Sequence, residues 1–140
     1  MKYAIANEFG VFIGDKAERI IVAVDRRVHA EASIYHAREG YVYSMNLNTK
    51  QWGSGGGAHK DGPYFSSLDE AEEHFVRSAI TQLRIEGESA LASALWLEKN
   101  NRHGWSWVGR DDRERYLDCM RLIEALQEHL RVKNQTVLEF

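Results

Sequence analysis

Over the first 48 positions apolar and polar residues alternate with a period of two, broken at short turn signals. Successive strand side chains point to opposite faces, so this pattern predicts an antiparallel meander. Residues 3–6 and 9–13 flank the turn residues Asn7 and Glu8, and residues 20–24 run through Asp25, Arg26 and Arg27 into residues 28–35. Ile20, Val22, Val24, Val28, Ala30, Ala32 and Ile34 share one parity and are expected on one sheet face. Arg38, Glu39 and Gly40 then turn the chain into residues 41–48. There Tyr41, Tyr43, Met45 and Leu47 point one way and Ser44, Asn46 and Asn48 the other, leaving an apolar face for a helix to cover.

The period lengthens after residue 66. Ser67 with Glu70 three positions on is a capping box, which satisfies two backbone donors at a helix start. Leu68, Ala71, Phe75, Val76, Ala79, Ile80 and Leu83 follow as a stripe at helical spacing, with Glu72, Glu73, Arg77 and Gln82 outside it. Gly87 is expected to weaken or end this helix, residues 90–97 to form a short second one, and residues 100–104 to break the chain. A third and longest helix is expected from Asp111 to about Lys133, carrying Tyr116, Met120, Ile123, Leu126 and Leu130 inward. Residues 135–140 read as an edge strand or a tail. Strands first and helices after give an α+β class: an antiparallel amino-terminal sheet of about five strands packed by two to three carboxy-terminal helices.

A chain of 140 residues suits one hydrophobic core, so residues 1–140 are expected to form a single domain. Apolar residues at 44% and charged residues at 28% are the balance of a folded soluble protein. The net charge of −3 gives the molecule no overall attraction for phosphate, so a nucleic-acid partner requires a local basic patch. A single cysteine, Cys119, forbids an intrachain disulfide and is compatible with a reducing compartment. No run of about 18 apolar residues or signal-peptide core appears, so the expected location is the cytoplasm, without membrane contact.

The linker-like composition of residues 53–62, between Trp52 and Tyr64, draws the search for chemistry. A phosphate-cradling loop needs Gly directly before its Lys and Ser or Thr after it, whereas Ala58 and His59 precede Lys60 and Asp61 follows. A hydrolase nucleophile elbow needs Gly two residues before Ser54, where Trp52 stands. Two readings remain: a mobile hairpin connection, or a partner-binding loop with Trp52 and Tyr64 as anchors and His59 and Lys60 beside them. No metal site follows from the histidines. His29 and His36 lie an odd number of positions apart on one strand, His74 lacks a second histidine four residues away, and His129 complements a helix end. Cys119 borders the apolar stripe and reads as core, while the pairs Glu72-Glu73 and Asp111-Asp112 read as solvent-facing or dipole-matching charges. Trp105 and Trp107, with Arg110, Arg113 and Arg115 close behind, either pin a loop to the core or stack on bases. The expected partner-binding set is therefore Trp52, His59, Lys60, Tyr64, Trp105, Trp107 and Arg110, with no catalytic residue, metal or cofactor.

Residues 41–83 join an aromatic strand, Trp52 before Gly55, Gly56 and Gly57, then Pro63, Tyr64 and Phe65, and a helix opening at Glu70 and Ala71. This unit, about a third of the chain, resembles one found in uncharacterised small phage and plasmid proteins, which have no accepted catalytic residues to carry over. Phe9 to Gly14 with Glu18 to Val22 resembles the opening strands of the CRISPR integrase family. That family's large helical catalytic domain does not fit in what remains, so integrase activity is not implied. The resemblances imply a mobile-element accessory protein, a class that includes inhibitors of host defence. The leading expectation is a non-enzymatic protein that binds a protein partner. The alternatives are a nucleic-acid-binding module using Lys60, Arg102, Arg110 and Arg113, and a small-molecule enzyme with His59 or His103 as base where the glycine loop meets the Trp105 region. A homodimer is also expected, because a meander leaves an open edge and the sheet face carrying Tyr35 needs cover.

Overall fold

The computed structural model describes residues 2–14, 16–100 and 111–138. Six strands precede two helices: β1 (Val11–Phe12), β2 (Ala17–Asp25), β3 (Val28–Ala37), β4 (Gly40–Asn48), β5 (Gly53–Gly56), β6 (Ala58–His59), α1 (Leu68–Lys99) and α2 (Asp112–Leu138). The class is α+β, as the order of the two periodicities predicts. A four-stranded antiparallel sheet runs β2-β3-β4-β5, and β1 pairs with β6 in a separate two-stranded ribbon.

The register β3 to β4 sets Ala30 opposite Leu47, Ala32 opposite Met45 and Ile34 opposite Tyr43. Those side chains face the helices and pack with Phe75, Val76, Ala79, Ile80, Leu83, Leu122 and Leu126. Val24 departs from the expected parity. The ladder pairs Ala23 with His29 and Asp25 with Val28, so Val24 is an extra, bulged residue and stays exposed. The second face of β3 is apolar only at one end, where Tyr35 and Ala37 join Val42, Phe12 and Ala58 beneath the β1–β6 ribbon. The expectation that a partner copy must hide Tyr35 is therefore corrected: the chain covers that residue itself, leaving it 6% exposed. The remainder of this face, around Glu31, Ser33, Ser44 and Asn46, is polar.

Several boundaries also differ. Residues 3–6 are not a strand and make one backbone contact to the sheet, Ala4 N to His36 O at 2.8 Å. Asn7 turns the chain by accepting the N–H groups of Phe9 and Val11 at its Oδ1, both at 3.0 Å. Residues 53–62 are not a loose connection, because Gly53–Gly56 pairs with β4 and Ala58–His59 with β1. Ser67 caps α1 by accepting Glu70 N at 3.1 Å, but the Glu70 carboxylate turns to Ser66 N at 3.2 Å, so the capping box closes one residue early.

Among the described residues two helices stand where three were allowed. Gly87 does not end α1, which continues to Lys99, and α1 at 32 residues is longer than α2 at 27. At about 1.5 Å per residue α1 spans ~48 Å, roughly one and a half times the ~30 Å of β4. Gln82 accepts its last side-chain hydrogen bond from the sheet, donated by Ser54 Oγ at 3.3 Å, and by Gly87 the helix lies against α2. A Cβ on Gly87 would stand 2.9 Å from Met120 Cε and 3.4 Å from Cys119 Cβ, so hydrogen at this position lets the helices meet closely. Cys119 is buried as expected, and burial pushes its thiol up to about 11.

Asp112, expected as a solvent-facing or dipole-matching charge, is fully buried. It accepts Ser93 Oγ at 2.6 Å and Arg115 Nη2 at 2.9 Å, and Arg115 also reaches Glu86. Asp111 takes the capping role instead, accepting Arg113 N and Glu114 N at 3.1 Å. His129 pairs with Glu72 at 3.4 Å rather than with the helix end, and Lys133 holds the same carboxylate at 2.7 Å. Helix α2 runs through Leu138, so residues 135–138 form neither an edge strand nor a tail.

The Gly87 contact yields a graded prediction. Gly87→Ala gains up to about 1 kcal/mol of helix propensity while the Met120 methyl swings aside, so its melting temperature stays close to the parent's. Gly87→Leu forces the helices apart and costs about 1–3 kcal/mol, read as a lower urea midpoint with an unchanged slope. Equal stability for both variants would show that the helices are not in close contact there.

Candidate functional site

The glycine segment departs from Trp52 at one end of β4 and finishes near the other end. Thr49 N donates to Trp52 O at 2.7 Å, and Gln51 Nε2 donates to Glu114 Oε2 at 3.1 Å, fixing this corner to the start of α2. Gly53 then pairs with Asn48 and Gly56 with Met45, running back along β4 until Ala58 crosses to Phe12 in the ribbon. A Cβ on Gly55 would meet Asn46 Oδ1 at 3.0 Å, so this strand presses its backbone on its neighbour's side chain. The expected set is thereby divided. Trp52 is half-buried against the helix-side core, whereas His59, Lys60 and Tyr64 lie at the ribbon. Trp105, Trp107 and Arg110, with Arg102 and His103, lie outside the described residues. Arg113 forms an ion pair with Glu98 at 2.6 Å on the helices.

At the ribbon end the structure opens into a cleft of about 770 Å³. Lys2, Lys16, Arg38 and Lys60 supply four cations to its lining, Glu39 and Asp61 two carboxylates, and Tyr3 and Tyr64 two phenol rings. Distant parts of the chain contribute them: the amino-terminal segment, the approach to β2, the β3–β4 turn and the segment after β6. Among the described residues none of the four cations forms an ion pair. Six helix cations, Arg77, Arg113, Arg115, Arg121, Arg131 and Lys133, each have a carboxylate partner.

Local chemistry explains how these groups are held. Gly10 has φ +76°, and the Lys60 methylenes occupy the space its Cβ would take, at 3.2 Å. Lys60 N donates to Gly10 O at 2.8 Å, so the lysine stem lies along bare backbone. Tyr64 Oη donates to the Lys60 carbonyl, and burial followed by the nearby Glu39 carboxylate raises the phenol above its ordinary value. Tyr3 sets its ring edge against His36 at 5.1 Å, and His36 stacks on Tyr41 at 4.2 Å with a 6° interplanar angle. Tyr41 in turn exchanges two backbone hydrogen bonds with Phe65, at 2.8 and 2.7 Å, just beyond Tyr64.

A second cluster also escaped the sequence. Tyr43 Oη and His74 Nδ1 lie 2.8 Å apart, and the His74 ring is 4.6 Å from Phe65. Desolvation raises the Tyr43 phenol. Strand parity placed Tyr43 inward, but its pairing with a helix residue 31 positions on has no local signal. Among the described residues no three histidine, cysteine or carboxylate groups gather as a metal site would require, and no helix is long and apolar enough to cross a membrane. Compared with protein-family models, curated proteins and solved structures, the chain matches none of them.

The Tyr41–Phe65 bridge requires Gly40. This residue has φ +142°, and an added Cβ would stand 2.7 Å from Phe65 O. Gly40→Ala combines backbone strain with a clash against a carbonyl and is expected to cost about 2–4 kcal/mol. Hydrogen exchange checks the cause: the amides of Tyr41 and Phe65 lose protection before those of β3 in the variant. Uniform loss across the sheet, or none, would contradict it.

Proposed function

We propose that this chain is a non-enzymatic accessory protein that binds another macromolecule, with the cleft between the amino-terminal segment and the ribbon as its contact surface. The observation carrying this reading is the set of four cations without carboxylate partners, gathered from four separate places in the chain around two exposed-edge tyrosines. Leaving cations unneutralised beside one another costs stability through like-charge repulsion, so their gathering supports a role in contacting something acidic. Tyrosine adds large contact area at small entropy cost. Placement among mobile-element proteins, including inhibitors of host defence, rests on the resemblance of residues 41–83.

Photo-crosslinking tests the assignment of the surface. A benzophenone amino acid at Lys16 or Lys60 is expected to yield a discrete adduct in cells making the protein, whereas the same group at Arg84, an exposed position on α1, yields none. Adducts of equal yield from all three positions, or from none, would overturn it.

The homodimer is also a proposal, and its support has moved. Strand β2 is an edge of the four-stranded sheet, and Ile21 beside that edge is 55% exposed. Antiparallel pairing of β2 with a second copy about a two-fold at Ile21 brings Ile20 opposite Val22 and Arg19 opposite Ala23, without like charges in register. The bulge at Val24 limits the pairing to residues 19–23. Light scattering should give twice 16.1 kDa, and Ile21→Lys, which sets two ammonium groups face to face, should return it to 16.1 kDa. A parent mass of 16.1 kDa at micromolar concentration would remove the dimer.

A further inference from the structure

Building on the reading of the cleft as the contact surface, we infer that its occupant is single-stranded nucleic acid. Three features of the cleft point to this chemistry rather than to an acidic protein segment. Its lining carries four cations, as a phosphate backbone requires, and among the described residues none of them is committed to a carboxylate. Phenol rings lie among them: Tyr3 is 41% exposed and meets the His36–Tyr41 stack in a T-shaped contact, and Tyr64 lines the same cleft. A ring held by such a contact offers a base an exposed surface at a reduced cost in side-chain freedom, and every base has a π-face to place on it. The rings stand inside the cleft, so an unpaired base reaches them where a duplex, with its bases stacked inward, does not.

The two carboxylates fit the same occupant. Glu39 and Asp61 both stand close enough to Tyr64 to raise its phenol, and so lie at one wall of the cleft. There they repel phosphate but accept hydrogen bonds from the exocyclic amines of bases. Charge then pairs the phosphates of a bound strand with Lys2, Lys16, Arg38 and Lys60 and its base edges with Glu39 and Asp61. The net charge of −3 does not oppose this, because charges beyond about 8 Å are largely screened at physiological salt.

Fluorescence anisotropy with labelled twelve-nucleotide DNA and RNA strands of mixed sequence, read from 50 to 300 mM salt, tests the inference. Affinity is expected to fall with a log–log slope between about −1.5 and −3, the range for two to four neutralised phosphates on a single strand. Arg38→Glu with Lys60→Glu should weaken binding at least tenfold and flatten the slope by more than one. Tyr3→Ala should weaken binding with the slope unchanged, since it removes stacking and not charge, and Arg84→Glu should leave both unaltered. Circular dichroism and melting of each variant separate loss of binding from loss of fold. Absence of binding at 50 mM salt, tighter binding to the matching duplex, or equal affinity for the parent and the cleft variants would each overturn the inference. Benzophenone adducts at Lys16 and Lys60 that resist nuclease and yield to protease would overturn it too, while leaving the cleft as a contact surface for a protein.

Discussion

Strand β3 carries apolar residues on both faces at one end, and the two coverings it requires organise the rest of the molecule. Ala30, Ala32 and Ile34 meet the helices, and Tyr35 and Ala37 meet the β1–β6 ribbon. A four-stranded sheet with one helical layer would leave Tyr35 in water, so the chain has to bring a second layer to that end. It does so after β5, where the run of glycines lets the backbone lie flat on β4 and then cross to the ribbon. The ribbon also draws the amino-terminal segment against the β3–β4 turn. The cleft is the space left between these pieces, and its cations arrive there because the hydrophobic demand of β3 brings their segments together.

The opposite end of the molecule obeys a different constraint. Helix α1 outruns the sheet, and among the described residues its second half meets α2 at Gly87 and through a buried ionic group of Glu86, Asp112 and Arg115. Small residues let the helices approach, and the charged group fixes their register, since a slip by one turn would take Asp112 from Ser93 and Arg115 from Glu86. Asp118 is also fully buried, with the Arg121 guanidinium 4.0 Å away.

What the sequence made legible follows from the range of each interaction. The capped start of α1, the stripe from Leu68 to Leu83 and the pairing of residues 28–35 with 41–48 depend on neighbours one turn or one hairpin away, and were read correctly. Gly87 was misread because a glycine that breaks an isolated helix and a glycine that admits a packed neighbour look alike without the neighbour. Tyr35 was misread because its cover comes from β1 and β6, which lie before and after the sheet's central strands. Lys60 and Tyr64 stood out beside the glycines, whereas Lys2, Tyr3, Lys16 and Arg38 carried no local signal, since only the ribbon brings them to the same cleft.

Charge shows how an acidic chain builds a basic surface. The two helices hold twelve carboxylates against eight cations, and the rest of the chain holds nine against ten, so the net negative charge belongs to the helices. Most helix cations are spent in ion pairs there. A paired arginine and carboxylate present a dipole whose field falls off quickly, but an unpaired lysine presents a full charge to whatever enters beside it. The cleft's four cations outnumber its two carboxylates, so its local charge is opposite in sign to the total of −3. Composition reports the sum of charges, while recognition depends on which of them the fold leaves without a partner.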